Sequence, residues 1–167
     1  MDIALDVISV QTFWRILLFI HFTLAVCLLG AITLQTVSAL IPARQAATGF
    51  INYVRTVPAS TYVPVIVVLY VLQVLMGMWV YTKYRVYVRI PMEQLGHWSI
   101  VAAFDGKEHV VAIGMALLPA YWYLWREHSL DAEYSGMRKW LTMLLAFTVW
   151  YAFINGHVAN DFRGIGS

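Results

Sequence analysis

Twenty-two consecutive residues without a charge, "TYVPVIVVLYVLQVLMGMWVYT" at positions 61–82, limit what this chain can become. About 20 apolar residues in a helix cross the roughly 30 Å hydrocarbon core of a bilayer. Three further segments meet that requirement, at 16–41, 108–125 and 140–157. In hydrocarbon every backbone N–H and C=O must be satisfied within the protein, which leaves helices or closed barrels. No segment has the alternating pattern of a barrel strand, so helices are expected. Composition agrees: 12% of the residues are charged, about half the fraction in a soluble domain. The sequence predicts an all-α integral membrane protein, a single domain over 1–167 built as a four-transmembrane-helix bundle.

The connections fit that plan. The segment between spans one and two has loop chemistry and two prolines, Pro42 and Pro58. The one between spans two and three is longer than a turn needs, and "MEQLGHWSIVAAF" within it suits a short helix along the membrane interface. Trp14, Trp79, Tyr81, Tyr84, Trp122, Tyr123, Trp125 and Trp140 fall near span ends, where amphipathic rings anchor at headgroup level. Four spans put both termini on one side, called side A. Side A carries Arg15, Lys83, Arg85, Arg89, Lys107 and Arg163, and side B carries Arg44, Arg55, Arg126, Arg138 and Lys139. Six against five sets no orientation by the positive-inside rule.

Several function classes drop out. A net charge of +2 with no basic run argues against nucleic acid. Cys27, the single cysteine, rules out an intrachain disulfide and any CxxC or CxxCH site, and is expected to be a small packing residue. "MDIALDVISVQTFWR" has two Asp before its first basic residue, unlike a signal peptide, and reads as leading into a retained helix. HExxH, a Gly-rich phosphate loop, a Ser-His-Asp set and a nucleophile elbow are all missing, so a stand-alone enzyme is not expected.

Histidines carry most of the functional information. Of five, His21, His97, His109 and His157 fall on side A and only His128 on side B. His21 lies about 8 Å inside its span at 1.5 Å per residue, and His109 and His157 lie within a turn of their span ends. By helical register His21 shares a face with Leu17, Leu28 and Ile32, and His157 shares one with Phe153, Trp150 and Asp161. His109 shares a face with Ala112, Ala116 and Ala120, a small-residue stripe that admits close approach of a helix or a flat cofactor. An ionisable group within a span is costly and should face the protein interior. The ordinary alternative for each is a hydrogen-bonded interfacial residue.

"FDGKEH", 104–109, packs four titratable side chains into the entrance of the third span. Asp105 is expected as its N-cap with Glu108 three residues on, as in a capping box, so the cluster reads as the waterline of that helix. Were the helix to begin at His97 instead, Asp105, Lys107 and Glu108 would lie inside it and would have to pair.

Imidazole ligates haem iron, copper and zinc alike. For b-type haem the sequence offers His21, His109 and His157 as ligands, with His21–His109 and His109–His157 equally defensible pairs. Arg15, Lys107 and Arg163 are candidate propionate partners, and Phe19, Phe22, Trp150 and Phe153 could pack on a porphyrin. Copper is the alternative metal for the same histidines, helped by Met76, Met78 and Met92, although a Met pair ordinarily fills gaps.

Four short spans with His21, His109 and His157 near one face resemble, in layout, small bacterial membrane proteins of the b-type cytochrome and CopD-like copper-resistance groups. The resemblance implies a bacterial inner (cytoplasmic) membrane, a role in a redox or metal-handling system, other membrane subunits as partners and electron relay to quinone. Two classes stand beside it: a cofactor-free accessory subunit of a larger membrane complex, and a small transporter. Against the latter, no inverted repeat is visible and only Pro64 and Pro119 interrupt spans. Gln73, the main polar group deep in span two, is expected to tie helices together.

Overall fold

The computed structural model describes residues 9–41 and 49–165, the last seven of these by backbone alone. Among the described residues there is no strand. Four long helices, α1 (Val10–Leu40), α3 (Val63–Tyr84), α5 (Trp98–Arg126) and α6 (Ser135–Ile165), form the body, with two short ones, α2 (Phe50–Thr56) and α4 (Ile90–Gln94), in the connections. A 3₁₀ turn at Ala59–Tyr62 leads into α3, and a π-helical turn at Arg85–Arg89 carries it into α4. Three helical runs, Val10–Leu40, Ala59–Gln94 and Ala132–Val158, are long and apolar enough to cross a membrane.

Local chemistry sets the helix limits. Ser9 caps α1 by accepting a hydrogen bond from the Thr12 amide at 3.1 Å, which satisfies one otherwise orphaned donor. Pro64 sits in the first turn of α3, where a missing N–H costs nothing. Gly96 ends α4 with φ +77°, a left-handed conformation that glycine adopts without strain. The His97 amide donates back to the Met92 carbonyl at 2.9 Å, closing the turn.

That break moves the start of the third long helix. α5 begins at Trp98, ten residues before the expected 108, and His97 holds the cap position. Asp105 is therefore inside the helix and caps nothing. A separate interfacial helix over 92–104 is also corrected: these residues divide between the end of α4 and the first turns of α5. The helix continues through its charges because they find partners. Arg89 meets Glu93 at 2.8 Å and Asp105 at 3.3 Å, and the Lys107 ammonium stands 3.6 Å from the centroid of the Phe104 ring.

The long helices form a ring in the order α1, α3, α5, α6, each packed on its two neighbours. One half of the ring is solid. Ile32, Val63, Ile66, Tyr121 and Leu145 are fully buried there. Polar ties cross the same region: the Tyr121 hydroxyl donates to Gln35 Oε1 at 2.5 Å, and Trp125 Nε1 donates to Thr142 Oγ1 at 3.0 Å. Arg138 donates to the His128 and Asp131 carbonyls and closes the connection between α5 and α6. Lipid competes for apolar surface, so such ties and close packing hold membrane helices together, at roughly 0.6 kcal/mol per hydrogen bond. Tyr84 and Trp125, expected as headgroup anchors, belong to the core, while Trp79 and Trp140 are more than 60% exposed.

The tightest approach is at Gly114 of α5, under Tyr70 of α3. The Ala112, Ala116 and Ala120 stripe, expected to admit a neighbour, is exposed, with Ala112 facing the space between the helices. Cys27, expected to pack, is exposed as well.

Candidate functional site: a cavity at one end of the bundle

Away from the solid half, the side-A halves of the four long helices enclose a cavity of about 1210 Å³. This exceeds the usual range of roughly 300–1,000 Å³ for a small-molecule site. Its floor is the layer where Tyr70 donates to the Val111 carbonyl at 3.1 Å and stands 3.2 Å from Thr148 Oγ1. Apolar side chains such as Leu18, Phe22, Val74, Met115 and Val149 form much of the wall. Tyr81, Tyr84 and Phe104 build one side as an aromatic run, with Tyr84 and Phe104 stacked at 3.6 Å and 14°.

Charge gathers in one part of the lining, from Arg15 of α1 and Lys83 at the end of α3 to Lys107 and Glu108, about two turns inside α5. Arg15, Lys83 and Lys107 contribute three cations against the carboxylate of Glu108. Lys83 also lies 5.2 Å from the centroid of Trp14. The excess of positive charge suits an anionic edge or headgroup.

His21 lies within this cavity, on the inner side of α1 that its shared register with buried Leu17, Leu28 and Ile32 implied. Its Nε2 is 3.2 Å from Nε2 of Gln73 on α3. Gly77, one turn beyond Gln73, leaves room for the ring: a Cβ there would stand 3.5 Å from His21 Cε1. Two buried side-chain atoms next to this contact have no hydrogen-bond partner, His21 Nδ1 and Gln73 Oε1. Leaving a buried polar atom unpaired costs about 1–3 kcal/mol. Gln73 ties helices as expected, yet the tie satisfies only half of each side chain.

The expected ligands separate. His157 lines the cavity, with its ring parallel to that of Phe153 at 6.3 Å. His109 does not: it is exposed, and its Nδ1 lies 2.8 Å from the Asp105 carbonyl of its own helix. His109 is therefore not brought to the cavity with His21 and His157, although Ala112 of its stripe lines that cavity. Arg15 and Lys107 line the cavity as expected, and the side chain of Arg163 lies outside the described residues. Among the described residues no three of His, Cys, Asp and Glu gather closely enough to hold a metal ion. Met78 lines the cavity, whereas Met92 is buried on α4.

Gln73, Lys83 and the Tyr70–Thr148 floor were not among the expected site residues. Gln73 alone carried a signal, as an amide in an otherwise apolar span. No family model, no curated protein and no solved structure matches this chain.

Proposed function

We propose that this chain is a four-span subunit of a membrane redox system that holds a redox-active amphiphile in the side-A cavity. α5 is the fourth span. It has 29 residues, about 43 Å of helix, and packs between α3 and α6, both within runs apolar enough to cross a membrane. Its charges are turned to Arg89, the Phe104 ring and the cavity. Both termini then face one side of a membrane, the bacterial cytoplasmic membrane on the resemblance in layout. On the same resemblance the chain works beside other membrane subunits.

The observation that carries this reading is the His21–Gln73 pair, an incompletely satisfied polar couple inside a large, mostly apolar cavity whose lining also carries Arg15, Lys83 and Lys107. Intramembrane ionisable groups kept in that condition are functional by default. The test is to purify the chain in mild detergent and extract it with organic solvent. A near-stoichiometric redox-active lipid is expected, lost in Ala152→Trp, which fills the cavity from α6. An extract without one, together with a featureless reduced-minus-oxidised spectrum, would leave a cofactor-free accessory subunit.

A second reading, b-type haem, is favoured by His157 lining the same cavity as His21. Those two imidazoles would hold the iron, and Arg15, Lys83 and Lys107 would meet the propionates. Bound haem would supply one-electron transfer. A b-type α-band lost in His21→Ala supports it. Stoichiometric copper without such a band would favour the metal-handling alternative.

A further inference from the structure

Whichever way the Gln73 amide is turned, the His21–Gln73 pair keeps at least one hydrogen-bond donor and one acceptor without a partner. With the Gln73 amide nitrogen donating to Nε2, a neutral His21 carries its proton on Nδ1, and Nδ1–H and Gln73 Oε1 are left over. With the amide reversed, Nε2–H donates to Oε1, leaving the Nδ1 lone pair and both amide N–H groups. Asn and Gln orientations are assigned from hydrogen bonds, so this independence matters: both assignments leave at least one donor and one acceptor. A group that satisfies both must accept once and donate once within a small space, as a hydroxyl does. A carbonyl or an ether can only accept.

Depth narrows the source. His21 is six residues beyond Arg15, about 9 Å along α1, and Gln73 is ten residues before Lys83, about 15 Å along α3. The pair therefore lies well inside Arg15 and Lys83, with the Tyr70–Thr148 layer beneath it and Lys107 of α5 near enough to act on His21. A molecule dissolved in the membrane, whose hydroxyl enters while its apolar body fills the rest of the cavity, matches both wall and pair.

We propose that His21 and Gln73 form a recognition point for the hydroxyl group of a membrane-dissolved amphiphile. The inference rests on the cavity being a ligand site. The redox reading makes the hydroxyl phenolic, that of a quinol; an aliphatic lipid alcohol offers the same chemistry, and the two are separated by experiment.

The full-length protein in nanodiscs is titrated with a decyl-chain benzoquinol, its di-O-methyl ether, and dodecanol. Binding is followed as the change in tryptophan fluorescence, since of the seven tryptophans Trp14 lines the cavity, and a Trp14→Phe parent gives the background from the other six. The quinol is expected to bind at least about tenfold tighter than its ether. His21→Phe and Gln73→Met are each expected to bring the quinol to the affinity of the ether while leaving the ether unchanged. Without ligand, the double variant His21→Phe/Gln73→Met should melt at or above the parent temperature, because it removes both unpaired buried atoms and strands neither partner; a pair whose role is only structural would make it melt lower. Equal binding of quinol and ether in the parent overturns the proposal and points to a water bridging the pair. Quinol selectivity that survives both substitutions overturns it too, while leaving the redox reading standing. Dodecanol that matches the quinol and responds to the same substitutions upholds hydroxyl recognition and removes the redox reading.

Discussion

Tyr70 and Gly114 occupy one point of the bundle: a Cβ added to Gly114 would fall 1.9 Å from the Tyr70 hydroxyl oxygen and 2.8 Å from Thr148 Oγ1. The hydroxyl is held there by its bond to the Val111 carbonyl, so it has no free direction in which to retreat. Gly114→Ala is expected to destabilise the protein by about 1–3 kcal/mol, the usual cost of overpacking. Tyr70→Phe removes the clashing oxygen, so Gly114→Ala/Tyr70→Phe should be more stable than the additive sum of the two. Unfolding in mixed micelles with increasing SDS measures all three. An additive result would mean that α3 and α5 do not meet at this point.

Arg89 and Asp105 give a test of where α5 begins. Their 3.3 Å contact exists only because the helix runs back to Trp98 and brings Asp105 beside the turn that follows α3. The two side chains are 30% and 35% exposed, so the pair belongs with partly solvated bridges worth about 0.2–1 kcal/mol. A double-mutant cycle with Arg89→Met and Asp105→Asn is expected to return a coupling in that range. If Asp105 instead capped a helix starting near 108, its replacement would act alone and the coupling would vanish.

The same pair explains what the sequence could and could not disclose. Long apolar runs made the helices legible, and register put His21 on an inward face through Leu17, Leu28 and Ile32. "FDGKEH" misled because its partner, Arg89, is sixteen residues upstream beyond a chain reversal, whereas a cap is read from neighbours alone. His109 misled for a related reason. Alanines permit close packing but do not demand it, and on α5 the demand came from Gly114 under Tyr70. The cavity had no local signature at all, since it forms where four helices cease to fill the space between them.

Gln35 and Tyr121 tie α1 to α5 across the solid half of the ring, with both side chains fully buried. Gln35 also donates from Nε2 to the Ala59 carbonyl at 3.1 Å. Gln35→Leu strands the Tyr121 hydroxyl, and the expected loss is about 1–3 kcal/mol. Adding Tyr121→Phe removes the stranded group, so the double variant should recover part of that loss. The same SDS titration reads the outcome; a double variant less stable than Gln35→Leu alone would show that the ring oxygen has another partner.

Cys27 provides a test of membrane placement that needs no engineered site. It is the sole cysteine of the chain and is exposed on the outer surface of α1. Seventeen residues separate it from Val10, about 26 Å along a 31-residue helix, which puts it near mid-span. A nitroxide attached there in detergent and carried into liposomes should meet lipid on every exposed side. Power-saturation EPR is then expected to give high accessibility to oxygen, which concentrates in hydrocarbon, and low accessibility to a water-soluble nickel chelate. The same label moved to Leu130, which is 94% exposed in the connection between α5 and α6, should reverse that order. Strong nickel contact at Cys27 would mean that this face of α1 meets water and that α1 does not cross the bilayer as a single span.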